Sequence, residues 1–193
     1  GLLLVGWIGF NAGSAGAADA LAATAAFNTI LAAGSAAVGW MVVEWIERKR
    51  PTLLGLLPGI VGGLVPITPP AGFVDPKGAF FIGLIAGPAC YAGAVWLKHA
   101  LKYDDSLDAL GVHGVGGIVG ALLTGLFATT AVNPLAEGAT IWKQAIGLAG
   151  AMVWSAAGTL LVLMICKSTT GLRVAREQEI EGLDYTQHGE ALH

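Results

Sequence analysis

Six apolar stretches, separated by short polar or turn-forming segments, run along this 193-residue chain. About 20 apolar residues carry a helix across a hydrocarbon core roughly 30 Å thick. On that ruler the first stretch runs from Gly1 to about Ala15, the second from Leu21 to Trp45 and the third from Leu53 to Ile67. The fourth covers Ala79 to Leu97, the fifth Leu107 to Thr129 and the sixth Ile141 to Cys166. The third is short and holds Pro58 and Pro66, and the segment from Pro66 to Pro76 is too rich in Pro and Gly for a helix. The pattern predicts an all-α membrane protein, a bundle of about six transmembrane helices over residues 1–170. From Gly171 the charged residues Arg173, Arg176, Glu177, Glu179, Glu181 and Asp184 crowd together, predicting a solvated tail over 171–193.

Composition agrees. The chain is 55% hydrophobic and 12% charged, half the charge usual for a soluble domain. Its 29 glycines are costly in soluble helices but serve as close-contact residues in membrane bundles. Of ten basic residues, eight (Arg48, Lys49, Arg50, Lys98, Lys102, Lys167, Arg173 and Arg176) follow the second, fourth and sixth stretches. That alternation supports six crossings, and the positive-inside rule then puts those loops and the C-terminal tail in the cytoplasm, for a multi-pass protein of the cell (inner or plasma) membrane. Trp40, Trp45, Trp96 and Trp142 lie towards stretch ends, where interfacial anchoring accounts for them. A net charge of −3 and no basic patch argue against a nucleic-acid partner. Cys90 and Cys166 lie in apolar surroundings and form no metal-type cluster. Gly1 opens directly in an apolar run without an initiator Met or charged leader, so the chain is expected to begin within a longer protein.

One ionisable side chain falls inside a crossing. No Asp, Glu, Lys or Arg occurs from Ala109 to Ala136, yet His113 sits there among glycines. Intramembrane ionisable groups are expensive and mark pathways by default; the bland alternative is an imidazole bonded to a neighbouring helix. With a helix start near Asp105, His113 lies about 12 Å in, close to midspan. A neutral imidazole offers one donor and one acceptor, suited to relaying a proton or receiving a small polar molecule. In the first stretch Trp7, Phe10, Asn11 and Ser14 fall at i, i+3, i+4 and i+7, one helix face. Two rings, an amide and a hydroxyl there suit a path for a small cation, or ordinary packing with Asn11 bonded to a neighbour. Asp104, Asp105 and Asp108 precede the fifth helix, where capping is the simplest role. Glu44, near the cytoplasmic end of the second stretch, is placed to snorkel or to pair with Arg48. Gly59/Gly63, Gly83/Gly87 and Gly116/Gly120 have GxxxG spacing, a weak signal in so glycine-rich a chain. Without a P-loop, CxxC, HExxH or GxSxG, the chain reads as no enzyme or ATP-driven pump, and no cofactor motif is present.

Four features in order carry a resemblance: Gly6 to Ser14 (GWIGFNAGS), Thr68-Pro69, Asp104-Asp105 leading to Gly111-Val112-His113-Gly114-Val115, and the tail from Gly171 through Glu181-Gly182-Leu183-Asp184 to His188-Gly189-Glu190. Together they resemble the ammonium transporter (Amt/Mep/Rh) family, closest to its bacterial Amt branch. The match covers essentially the whole chain, and only the second repeat plus the long final helix of the family's eleven-helix fold. The resemblance implies a homotrimer in which each subunit has a narrow hydrophobic pore. It implies that His113 is the second of two paired pore histidines, Phe10 an outer gating ring, and Ser14 a hydroxyl of the outer recruitment site. Trp7 matches a pore-lining tryptophan, Thr68 a threonine near the outer mouth, and Asp108 an acidic residue at the cytoplasmic exit. Arg173, Glu181, Asp184, Thr186 and His188 fall in a regulatory tail that meets neighbouring subunits and a PII-type signalling protein, and Thr186 occupies a position phosphorylated in some plant members.

The implied activity is passage of ammonium or ammonia across the bilayer: ammonium loses its proton on entry, and ammonia crosses a constriction that excludes potassium and sodium. The alternative is a sensor that signals ammonium through its tail; a third reading is an unrelated bundle with His113 as a core residue. A half-bundle is expected to leave His113 and Asn11 open to lipid, and this chain alone is expected not to transport.

Overall fold

The computed structural model describes residues 1–190, so the end of the expected tail, 191–193, lies outside the described residues. The chain forms two compact units, Gly1–Leu148 and Ala149–His193. The helices are α1 (Leu2–Gly13), α2 (Ala20–Arg48), α3 (Leu53–Ile67), α4 (Pro76–Leu101), α5 (Leu110–Phe127), α6 (Ile141–Thr169) and the short α7 (Arg176–Glu181). No strand occurs among the described residues. All six expected apolar helices form; α2, α4, α5 and α6 are long and apolar enough to cross a membrane, whereas α1 and α3 have 12 and 15 residues.

Local chemistry sets the helix starts. Side-chain oxygens of Asp19, Thr52 and Asp75 accept the Ala22, Gly55 and Gly78 amides at 2.9, 2.9 and 2.8 Å, each taking one of the four orphan donors at its helix's N-terminus. Pro76 sits in the first turn of α4, where its missing N–H costs nothing. Glu44, 2% exposed, accepts from the Thr52 amide and hydroxyl and pairs with Arg48 at 3.6 Å, so it closes the α2–α3 turn as well as making the expected pair.

In the first unit α2 is the spine. Ala32, Ala33, Ala36, Ala37 and Trp40 are buried on it, and α3 and α4 approach its backbone through glycines. A methyl at Gly63 would stand 2.4 Å from the Ala32 carbonyl oxygen, and one at Gly87 would stand 2.2 Å from that of Ala36. At the next interface a methyl at Gly120 would stand 2.2 Å from the Pro66 carbonyl oxygen. The GxxxG spacing therefore marks true contacts. Trp40 corrects the interfacial reading: it is 3% exposed and packs edge-on against Tyr91, with ring centroids 5.2 Å apart. Trp96 donates to Glu47 at 3.2 Å, and the Tyr91 hydroxyl reaches the same carboxylate oxygen at 2.7 Å.

Two stretches are wound more widely, with π geometry: Ala92–Leu97 in α4 and Leu110–Gly114 at the start of α5. They abut, since a methyl at Gly111 would stand 2.4 Å from the Ala94 nitrogen. The fifth helix also begins later than the hydrophobic run suggests. Asp108 has φ 54°, a left-handed conformation that cannot continue a right-handed helix. His113 therefore lies three residues past Leu110, about 4–5 Å along the helix rather than 12 Å.

In the second unit the part of α6 from Ala149 onward buries no side chain, and the helix has a mean hydropathy of 2.0 over its most apolar window. A helix apolar all round is a membrane span or a buried core element. Gly171, at φ 82°, ends it with its amide on the Cys166 carbonyl. Beyond it the Arg173 guanidinium grips the Glu179 carboxylate, and the Thr186 hydroxyl donates to the Gly182 carbonyl at 3.0 Å.

The glycine contacts predict a sharp contrast. Gly87→Val, placing methyls against the α2 backbone, should destabilise the bundle by at least about 1–3 kcal/mol. Gly117→Ala meets nothing within 4 Å and should leave stability unchanged or slightly raised. Thermal unfolding in detergent, followed by size-exclusion, distinguishes the two.

Candidate functional site

α1 and α5 present the polar groups singled out in the sequence. Trp7, near the middle of α1, is half-buried and donates from Nε1 to the Thr68 hydroxyl at 2.7 Å; the Thr68 hydroxyl in turn donates to the Leu64 carbonyl at 2.8 Å. That chain fixes the indole plane. Its ring meets Phe10 edge-on with centroids 6.5 Å apart and the His113 imidazole, tilted, at 6.1 Å. The structure therefore gathers Phe10, Thr68 and His113 around Trp7, from α1, the end of α3 and α5.

Asn11 turns away from that group. It is 5% exposed and donates to the Thr29 hydroxyl of α2 at 3.0 Å, so the expectation that an open half-bundle exposes it does not hold. A polar amide in an apolar bundle is held by its nearest acceptor, and Thr29 supplies it. Phe10 is 63% exposed and His113 is exposed too. At the C-terminal end of α1 a cavity of about 320 Å³ opens between Asn11, Ser14, Thr68, Gly72 and Asn133. The Ser14 hydroxyl there donates to the Phe10 carbonyl at 2.8 Å. Asn133 and Asn28 clamp the surrounding loops, donating to the carbonyls of Gly72 and of Ala71 and Val74.

Asp108 lies just before α5. Its carboxylate pairs with Lys98 at 2.8 Å. The capping role falls to Asp105, whose two oxygens accept the Ala109 and Leu110 amides at 2.9 and 2.8 Å. Sequence reading missed Lys98, ten residues from its partner and without a periodic signal, and missed the Glu47–Tyr91–Trp96 cluster for the same reason. Thr186 bonds to the Gly182 carbonyl and Arg173 pairs with Glu179, while Glu181, Asp184 and His188 are exposed.

The family follows from comparison. The model of the Ammonium Transporter Family matches residues 1–192, and the chain belongs to that family, whose members are transporters and not enzymes. It is 44% identical to an ammonium transporter of Bacillus subtilis, over 98% of this chain and 48% of that one. Its fold is similar to the crystal structure of Saccharomyces cerevisiae Mep2, with a TM-score of 0.83 at 36% identity, covering 91% of this chain and 42% of that one. It is likewise similar to a structure titled Sensor Amt Protein, with a TM-score of 0.87 at 35% identity over 96% and 46% of the two chains. The chain spans about half the length of the curated relatives it matches.

The α5 cap has a pH signature. Hydrogen bonds from the Leu110 and then the Ala109 amide, with the Lys98 charge, outweigh desolvation and hold the Asp105 carboxyl below its ordinary 3.8. A depressed folded-state value means the cap contributes above the ordinary carboxylate range and is lost as pH falls through the lowered value. Amide exchange at Ala109 and Leu110, corrected for its intrinsic pH dependence, should stay flat from pH 7 to 5 and rise only below the ordinary Asp range. Asp105→Ala should abolish the transition.

Proposed function

We propose that this chain forms one side of an ammonium-conducting path, with Ser14 and Thr68 at its outer mouth, Phe10 and Trp7 along it, His113 in its narrow part and Asp108 at its cytoplasmic exit. Asn11 supports the path by holding α1 to α2 through Thr29. The observation that carries the reading is the exposed His113, set against Trp7 on an otherwise apolar surface. An imidazole facing lipid is unfavourable, and a covering helical repeat with its own polar groups turns that surface into a lined path. Membership of the ammonium transporter family supplies the cargo.

Ammonium is close to potassium in size, so size alone discriminates poorly. Deprotonation at an apolar constriction solves this: ammonia passes, a desolvated alkali cation does not. His113, with one donor and one acceptor, then holds ammonia or passes on the proton. In this reading the active assembly is a homotrimer in the cell membrane, the loops after α2 and α4 and the region 171–193 are cytoplasmic, and that tail is a regulatory element for neighbouring subunits and a PII-type protein. The Thr186 hydroxyl, bonded to the Gly182 carbonyl, is the position where a phosphate would break the tail's fold. Residues 1–170 form the transport region. The likeness to a structure titled as a sensor favours a second reading, in which ammonium binds and the tail signals with negligible flux.

Proteoliposome currents separate these readings. The polypeptide co-assembled with one supplying the family's first five helices should give an ammonium-evoked current and methylammonium uptake, and the chain alone should give neither. His113→Ala should lower ammonium flux by about tenfold or more, equivalent to about 1.4 kcal/mol or more on the barrier. Ammonium binding without flux supports the sensor reading; flux indifferent to His113→Ala removes the imidazole from the path.

A further inference from the structure

We propose that Lys98 is a positioning residue for His113, latching the first turn of α5 onto the widely wound end of α4. The inference rests on reading His113 as a pore group.

Lys98 follows directly on the wide stretch Ala92–Leu97. A lysine at a helix end in a membrane protein ordinarily snorkels outward to the headgroups. This one folds back: its Nζ reaches Asp108 Oδ1 at 2.8 Å and the Asp105 carbonyl oxygen as well, with its side chain 30% exposed. Both partners govern the start of α5. Asp105 holds the Ala109 and Leu110 amides through its carboxylate. Asp108 accepts the Val112 amide on its own carbonyl at 2.8 Å, so the residue beside His113 hangs from the residue that Lys98 grips.

Three features make the arrangement dependent on that ammonium group. Asp108 is a non-glycine residue in the left-handed region, a conformation less favourable than the ordinary one, so its counter-charge from Lys98 helps hold it. The two wide turns meet backbone to backbone at Gly93 and Gly111; the Cys90 thiol on the Val112 carbonyl, at 3.7 Å, and apolar packing of Val112 hold them there, and the Lys98 tie is the charged contact that fixes the start of α5 on α4. Wide turns of this kind are locally adjustable and frequent at functional sites. Without Lys98, Asp108 loses its counter-charge, the first turn of α5 frays, and the imidazole loses its fixed stance against Trp7.

The whole chain in lipid nanodiscs gives the first readout. Lys98→Met should raise amide exchange at Val112 and His113 by about tenfold while leaving Ala32 to Trp40 in α2 unchanged. Lys98→Arg keeps the charge and should stay within about threefold of wild type, the residual reflecting the guanidinium's different shape. Exchanging the partners, Lys98→Asp with Asp108→Lys, should recover most of the protection. The second readout is conduction in the co-assembled transporter: Lys98→Met should lower ammonium current and raise the potassium-to-ammonium ratio, both returning with Lys98→Arg. Unchanged exchange at Val112 and His113 overturns the latch, as does an equal rise along every helix. Altered exchange with normal current and selectivity overturns the positioning role. A wild-type assembly without ammonium current overturns the conduction reading itself, and the exchange pattern tells that failure apart from failure of the latch.

Discussion

The approach of α3 and α4 to the backbone of α2 is the constraint on which the first unit depends. In water, helices associate by expelling solvent; in lipid that drive is absent, and attraction must come from dispersion and polar contacts at short range. Gly63, Gly83 and Gly87 allow that range by leaving room where a methyl would lie within about 2.4 Å of a carbonyl oxygen of α2. The alanines opposite them, Ala32 and Ala36, are the smallest residues that still favour helix. Large side chains instead fill the two ends, with Ile67, Val74 and Ile82 in one cluster and Trp40, Tyr91 and Val112 in the other.

Rigidity there has a consequence for the group around Trp7. Thr68 lies at the end of α3, so the hydroxyl that orients Trp7 is placed by the same glycine contacts that fix α3 on α2. Asn11 ties α1 to α2 through Thr29, whose hydroxyl is in turn bonded to the Ala25 carbonyl at 2.6 Å. α1 is thereby held at two points, at Trp7 itself and one turn further on at Asn11. The group stands on secondary structure, which gives more exact placement than loops.

Much of this was legible in the chain. Apolar stretches, caps and alternating basic loops all report short-range or whole-segment physics, and the six apolar helices formed where that physics put them. The GxxxG pairs were visible too, although spacing alone does not say which glycine meets which backbone. What sequence could not supply was direction. Trp7, Phe10, Asn11 and Ser14 share one helical face by period, yet Asn11 points to Thr29 while Phe10 is open, because a face wider than one residue is divided by whichever neighbour offers an acceptor. Trp40 was misread for a related reason: it lies towards the basic end of its stretch, and only the packing of α4 shows that Tyr91 covers it.

The start of α5 shows the same limit in its sharpest form. Hydropathy is blind to φ, and Leu107, Leu110 and Val112 continue the apolar run while Asp108 breaks the helix in the left-handed region. The break is what frees the Asp108 carboxylate to face Lys98, since an aspartate inside a regular turn would project with its neighbours along the helix. It also delays the helix until Asp105 can cap it from outside through two amides. His113 therefore stands within about one turn of a charged, hydrogen-bonded anchor at the start of its helix. An ionisable group in an apolar layer needs such an anchor close by, because its orientation cannot be set by apolar packing alone.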